Sequence, residues 1–218
     1  MKQKHIFIVA AVLLLVAFVT GSYFYKKQQT EQAAQLAAKN QVALVRPDAP
    51  SFGNADAPVH IVEFFDPACE TCRDFYPMVK ALMAEHPGKI RLTLRYAPFH
   101  QGSEAVVKAL EASRKQGKFE PSLETLFASQ NVWVQNHVAH AELIGPLLAP
   151  LGIDMGRLQN DANAPEVAAI IARDLLDAKT MNVTKTPEYF VNGKPLPSFG
   201  FDQLRSLVGD ALLASNSK

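Results

Sequence analysis

Cysteine is nearly absent from this chain: among 218 residues there are two, Cys69 and Cys72, three positions apart. A structural zinc site takes about four ligands and a secreted disulfide scaffold takes several pairs, so a lone Cys-x-x-Cys supports neither. The pair suits a dithiol that cycles with its own disulfide. Excess charge of one sign is also missing. Twenty-two lysines and arginines oppose 21 acidic residues, for a formal net charge of +1, which speaks against a nucleic-acid surface or an acidic tail. There is no internal repeat and no histidine- or methionine-rich tract. What is present is a composition with 48% hydrophobic and 20% charged residues, enough for a sizeable core.

Long hydrophobic runs are confined to the N-terminus. Ile6 to Val19 is apolar, Thr20, Gly21 and Ser22 interrupt, and Tyr23, Phe24 and Tyr25 extend the run to Lys26 and Lys27. Twenty uncharged residues, at about 1.5 Å each, just span a hydrocarbon core of about 30 Å. The aromatics followed by lysines resemble an interfacial belt. The competing reading is a cleaved signal peptide, with Ile6–Val19 as its apolar region and Val19-Thr20-Gly21 as its cleavage site. Either way, residues 1–25 carry the rest of the chain across a membrane. Residues 26–50, rich in Gln and Ala before Pro47 and Pro50, read as a linker with helical character.

Beyond residue 50, Val59–Phe65 is β-branched and aromatic between two prolines and predicts a buried strand. Residues Glu70–Glu85 have helical spacing, with Pro77 inside the pattern. Ile90–Tyr96 alternates and predicts a second strand. Helical periodicity then fills the stretch to Thr180, over Ser103–Gln116, Glu120–Phe127, Val138–Leu148, Met155–Asn160 and Ala164–Lys179. Glu188–Val191 returns to strand, Asn192-Gly193 is a hairpin turn, a partner strand follows near Lys194–Ser198, and Phe201–Leu213 is an amphipathic helix. A helix between two strands implies a parallel pair, and the terminal hairpin adds antiparallel strands. The prediction is an α/β fold with a mixed sheet and a helical insertion.

Cys69-Glu70-Thr71-Cys72 falls at the strand-to-helix junction. Only a thiolate attacks a disulfide, and unpaired N–H groups at a helix N-terminus lower a thiol pKa. Cys69, just before the helix, is the predicted exposed nucleophile. Cys72, one turn in, closes the intramolecular disulfide.

The segment Glu63-Phe64-Phe65-Asp66-Pro67-Ala68-Cys69-Glu70-Thr71-Cys72 resembles the active-site strand and turn of DsbA-like thiol–disulfide oxidoreductases, in the thioredoxin superfamily. Pro77, Thr186-Pro187 before a strand, Phe190-Val191-Asn192-Gly193 and the inserted helical block resemble the same family, over roughly Ser51 to the C-terminus. The resemblance implies a thioredoxin fold whose first part is 51–100, whose insertion is 101–180 and whose second part is 181–218. It implies that Pro187 is a cis-proline facing the sulfurs and that Thr186 pairs with an extended substrate. Glu63 becomes a buried acid that moves protons for Cys72, with Arg95 as its partner. Glu70, Thr71, Thr186 and His100 border the substrate.

No metal and no organic cofactor is expected, the Cys69–Cys72 disulfide being the redox group. The implied partners are extracytoplasmic proteins with cysteines and a membrane redox partner, either a quinone-linked oxidase or a membrane reductase. The implied place is the bacterial periplasm or extracytoplasmic face, with an inner-membrane anchor or, after cleavage, as a soluble protein. Strongly oxidising members carry a histidine between the cysteines where this chain has Glu70-Thr71, and a carboxylate there disfavours a thiolate. A reductase or isomerase is therefore the alternative to an oxidase. Two other readings are a Cu(I) chaperone using both thiolates and a module with a static disulfide. His137 and His140, at helical spacing, are expected to be solvated or capping. Trp133 is expected in the core or lining the insertion.

Overall fold

The computed structural model describes residues 2–215. It opens with α1 (Lys2–Lys39), one unbroken helix that runs through both the apolar run and the Gln/Ala segment, and α2 (Gln41–Leu44) follows. From Phe7 onward α1 is long and apolar enough to cross a membrane, and its large apolar side chains are exposed. Its last turns are not free. Ala37, Ala43 and Leu44, which the sequence puts in the linker, are buried against the domain.

A five-stranded sheet forms the centre. Its strands are β1 (Ser51–Phe52), β2 (Val59–Phe65), β3 (Ile90–Tyr96), β6 (Glu188–Val191) and β7 (Lys194–Pro195), in the order β1-β3-β2-β6-β7. β2 and β3 are parallel, joined through α3 (Glu70–Glu85), which continues through Pro77. β6 runs antiparallel to β2 and turns into β7 at Asn192 and Gly193, both with positive φ, as a two-residue hairpin turn requires. Asn192 also closes the sheet end. Its Oδ1 accepts from the His60 N–H at 2.7 Å, and its Nδ2 donates to the Pro58 carbonyl at 3.1 Å.

Between β3 and β6 lies the helical block: α4 (Ser103–Arg114), α5 (Phe119–Ala128), α6 (Gln130–Trp133), α7 (Gly145–Leu148), α8 (Met155–Ala162) and α9 (Pro165–Thr180). α10 (Phe201–Ser215) follows β7. The predicted mixed sheet with a helical insertion is therefore present. One predicted helix is not. Val138–Leu148 breaks into a strand, a 3-10 turn and the single turn of α7, and its start pairs in a small hairpin, β4 (Val134–Gln135) with β5 (Val138–Ala139). Asn136 and His137 form that hairpin's turn, both with positive φ, so His137 and His140 share no helix face. Trp133 is fully buried, and its indole N–H donates to the Leu126 carbonyl at 2.9 Å.

The two faces of β2 separate two cores, because side chains alternate along a strand. Val59, Ile61 and Phe65 face the larger core with α3, α4 and α5. Val62 and Phe64 face the smaller one, which contains Ala37, Ala43, Leu44 and Ala178. Register then decides a pairing the sequence got wrong. Phe64 lies opposite Arg95 and Glu63 opposite Leu94, so Arg95 and Glu63 project from opposite faces of the sheet. Arg95 is fully buried on the Phe64 side. Its NH2 donates to Asp174 Oδ1 at 2.8 Å and Asp177 Oδ2 at 2.6 Å, and its NH1 to the carbonyls of Ala43 and Leu44 at 2.6 and 2.9 Å.

Candidate active site

The C-terminal end of β2 delivers the chain into Asp66-Pro67-Ala68, and Asp66 organises that turn. Fully buried, its Oδ1 accepts from the Ala68 N–H at 2.8 Å and from the Ser103 hydroxyl. Its Oδ2 accepts from both the backbone N–H and Nδ1 of His100, each at 2.8 Å. One carboxylate thus ties the cysteine turn to the loop after β3 and to the start of α4. From the opposite side the fully buried Gln130 of α6 donates through Nε2 to the carbonyls of Pro67 at 2.9 Å and Cys69 at 3.1 Å.

Cys69 is the N-cap of α3, where the first N–H groups of a helix lack partners in the helix itself. Both cysteines are free thiols. The hydrogen bond from Cys72 is the main influence that brings the Cys69 thiol down to about 6, against the upward push of burial. Thr186 and the backbone N–H groups of Cys72 and Thr71 add to the fall. Cys72 moves the other way. Burial first, then Cys69 and Glu63, hold it well above the ordinary thiol range. The site therefore separates two like groups into an ionisable sulfur and one kept as a thiol. Cys69 is less open than the sequence predicts. It is 5% exposed, because the loop before β6 covers it, and its thiol donates to the Thr186 carbonyl at 3.4 Å.

In that loop the Thr186–Pro187 peptide is cis, with Pro187 buried and Thr186 half-buried. Glu63 lies on the α3 side of β2 and is 1% exposed. Burial is the main reason its carboxyl is pushed up to about 8, with a smaller push from Cys69 and a partial offset from Tyr189. Among the described residues, neither Glu63 Oε2 nor the Tyr189 hydroxyl has a hydrogen-bond partner of good geometry, so this buried acid has spare capacity to bind or hand on a proton. Glu70 and Thr71 are half-buried in the first turn of α3. His100 stacks on His137, ring centroids 6.2 Å apart, and His137 Nδ1 lies 3.5 Å from Glu70 Oε1.

The structure thus gathers Cys69, Cys72, Thr186, Pro187 and Glu63 around the end of β2 and puts Glu70, Thr71 and His100 at its rim. Four residues here are not among those the sequence predicts for the site, His137 being expected as a solvated or capping histidine. Asp66 carries a faint signal, an Asp before Pro at a strand end, where its side chain accepts from backbone two residues on. Gln130, Tyr189 and His137 carry none, since each arrives from a distant segment.

The sequence signature of the family described as thioredoxin matches residues 45–210. Among solved structures, a thioredoxin-like oxidoreductase from Silicibacter pomeroyi is 31% identical with a TM-score of 0.68, covering 79% of this chain and 97% of its own. The probable disulfide bond formation protein D of Bacillus anthracis is 28% identical over 169 residues, 74% of this chain and 77% of that protein. The Na(+)/H(+) antiporter NhaA of Herminiimonas arsenicoxydans is 32% identical over 144 residues, 66% of this chain but 22% of the antiporter. This chain spans about a fifth of the length of the curated relatives it matches first.

Proposed function

This chain belongs to the thioredoxin family, in its DsbA-like branch, and on that premise we propose that it exchanges disulfides with extracytoplasmic proteins, acting as an oxidase. The carrying observation is the unequal pair: an acidic Cys69 sulfur at the mouth of α3 beside the Thr186 carbonyl, and a fully buried Cys72 held as a thiol. Stabilising the thiolate stabilises the reduced form, and a stabilised reduced form makes the disulfide a better oxidant.

In the oxidising direction a substrate thiolate attacks Cys69 Sγ of the Cys69–Cys72 disulfide. The S–S bond breaks and Cys72 leaves as a thiolate, which takes a proton that Glu63 can supply. A second substrate thiolate attacks the mixed disulfide and releases Cys69 as its thiolate. The substrate gains a disulfide while the pair gains two electrons and returns them to a membrane-held, quinone-linked acceptor. Thr186 offers its backbone to an extended substrate, and Glu70, Thr71 and His100 form the rim that the substrate meets. The helix α1 anchors the protein in the inner membrane with the domain outside the cytoplasm.

Equilibration with glutathione tests the direction. The expected potential lies well above the roughly −270 mV of thioredoxin, toward the roughly −120 mV of strongly oxidising members. A value at the thioredoxin end overturns the oxidase reading in favour of a reductase, and retained exchange in Cys69→Ser overturns the whole assignment. Carbonate extraction of membranes tests the anchor: release of the full chain into the soluble fraction contradicts it.

A further inference from the structure

Three ligating side chains stand together at the rim of the cysteine pair, and thiol exchange makes no use of their donor atoms as a set. Glu70 comes from the first turn of α3, His100 from the loop after β3 and His137 from the β4–β5 turn. One ligand atom from each lies within 4.8 Å of the other two. The sequence expectation of no metal site considered His137 with His140 on one helix; the fold instead brings His137 to His100 and Glu70.

The cluster is held in place. Both turn residues of the hairpin, Asn136 and His137, have positive φ, near 50° and 62°, the geometry that fixes a two-residue turn and with it where the His137 side chain leaves the backbone. Gly102, φ +81°, brings the chain after His100 so close to Ala139 that a Cβ there would meet the Ala139 carbonyl oxygen at 2.1 Å. His100 is oriented more tightly still. Its Nδ1 lies 2.8 Å from Asp66 Oδ2, so the carboxylate takes up Nδ1 and fixes the ring, and Nε2 is the nitrogen not engaged by Asp66. A buried carboxylate behind the imidazole is the outer-shell partner that metal-binding histidines characteristically have, and it raises their basicity.

We propose that Glu70, His100 and His137 form a binding site for a divalent cation of the zinc class beside the Cys69–Cys72 pair. Two imidazoles and one carboxylate suit zinc-like ions, whereas magnesium and calcium favour all-oxygen sets. Three protein ligands leave a position open to water or to a substrate group. The bound ion neutralises the Glu70 carboxylate inside the Cys-x-x-Cys and pins the start of α3 to the helical insertion.

The test is zinc titration calorimetry on the full chain in detergent, after chelation, in two thiol-free forms. One is Cys69→Ser with Cys72→Ser; the other is the oxidised native chain, which serves if the double variant fails to fold. The expected result is one zinc per chain in both, with affinity at least tenfold weaker in His100→Ala and in His137→Ala and unchanged in His86→Ala. X-ray absorption of the zinc-loaded reduced chain is expected to show nitrogen and oxygen ligands with no Zn–S distance near the usual ~2.3 Å. Absent or unsaturable binding, binding indifferent to both histidine substitutions, or sulfur ligation overturns the proposal. Because the thiol-free chain is inactive in exchange by design, failure here is distinct from failure of the oxidoreductase reading.

Discussion

Gln130 donates from the helical insertion to the backbone carbonyl of Cys69 at 3.1 Å, so the nucleophile's own peptide is held from outside the thioredoxin core. The same Nε2 serves the Pro67 carbonyl, and both acceptors lie in a site closed to water. Removing the amide takes the donor from the buried Pro67 carbonyl, while the Cys69 carbonyl keeps the Arg73 N–H at 3.1 Å, and a buried acceptor so deprived costs about 1–3 kcal/mol. Gln130→Ala is expected to lower the urea midpoint accordingly and to raise the alkylation rate of Cys69 as the turn loosens. A variant with native midpoint and native alkylation rate would show that the turn is held by Asp66 alone.

The reduced protein should alkylate at Cys69 with a midpoint near pH 6, measured by iodoacetamide quenching in chelator-treated buffer. An unperturbed thiol would give a midpoint near ~8.5. The linked stability has a defined sign. Because the folded pKa lies below the unfolded one, the contribution is complete above the ordinary thiol range and disappears as pH falls through about 6. The stability of the reduced form should therefore climb from pH 6 to pH 9 relative to Cys69→Ser, which lacks the slope.

Glu63 titrates with the opposite sense. Its folded pKa, near 8, lies above the unfolded carboxylate value, so its contribution is complete below the ordinary carboxylate range and is lost as pH rises through about 8. Glu63→Gln should thus gain stability relative to the native chain as pH climbs toward 8 and hold a constant difference beyond it. Stopped-flow resolution of a mixed disulfide should slow about 10²-fold in the variant, the lower end of general acid–base effects. An unchanged resolving rate would remove Glu63 from the proton path.

Arg95 is the centre of a buried charge cluster, and truncating it takes from buried Asp174 its two-nitrogen guanidinium partner, leaves Asp177 to Arg46, and unpairs the carbonyls of Ala43 and Leu44. Arg95→Ala should cost about 3–5 kcal/mol by thermal or urea unfolding. Arg95→Lys should recover only part, since an ammonium lacks the planar fork that reaches both aspartates. Limited proteolysis should cut near Ala43 in Arg95→Ala first, because the grip on that segment is what the guanidinium supplies.

Local pattern explains what the sequence alone could disclose. Val59–Phe65, Ile90–Tyr96 and Glu188–Val191 occur with the predicted bounds, because β-branched and aromatic residues between Pro, Gly and Asn leave little alternative. The cysteine pair was legible for the same reason, since its chemistry sits in four consecutive residues. Arg95 was misassigned because facing depends on the β2–β3 register, which one strand's sequence does not contain. The helix predicted over Val138–Leu148 yielded to two positive-φ residues before it and to Gly145-Pro146 within it. Cys69 came out sheltered, not open, because Thr186 covers it from 117 positions away.

The continuity of α1 bears on which proteins this dithiol can meet. With Phe7 to Tyr25 seated in a bilayer, the stretch from Lys26 to Lys39 is a stiff mast of about 20 Å, at about 1.5 Å per residue. Its top is clamped by the burial of Ala37 and by the grip of Arg95 on Ala43 and Leu44. If α1 stays in the membrane as proposed, such a mount sets the sulfurs at one altitude over the lipid and confines them to a ring rather than a volume. The proteins this dithiol would then meet are polypeptides still threading out of the membrane or held near it.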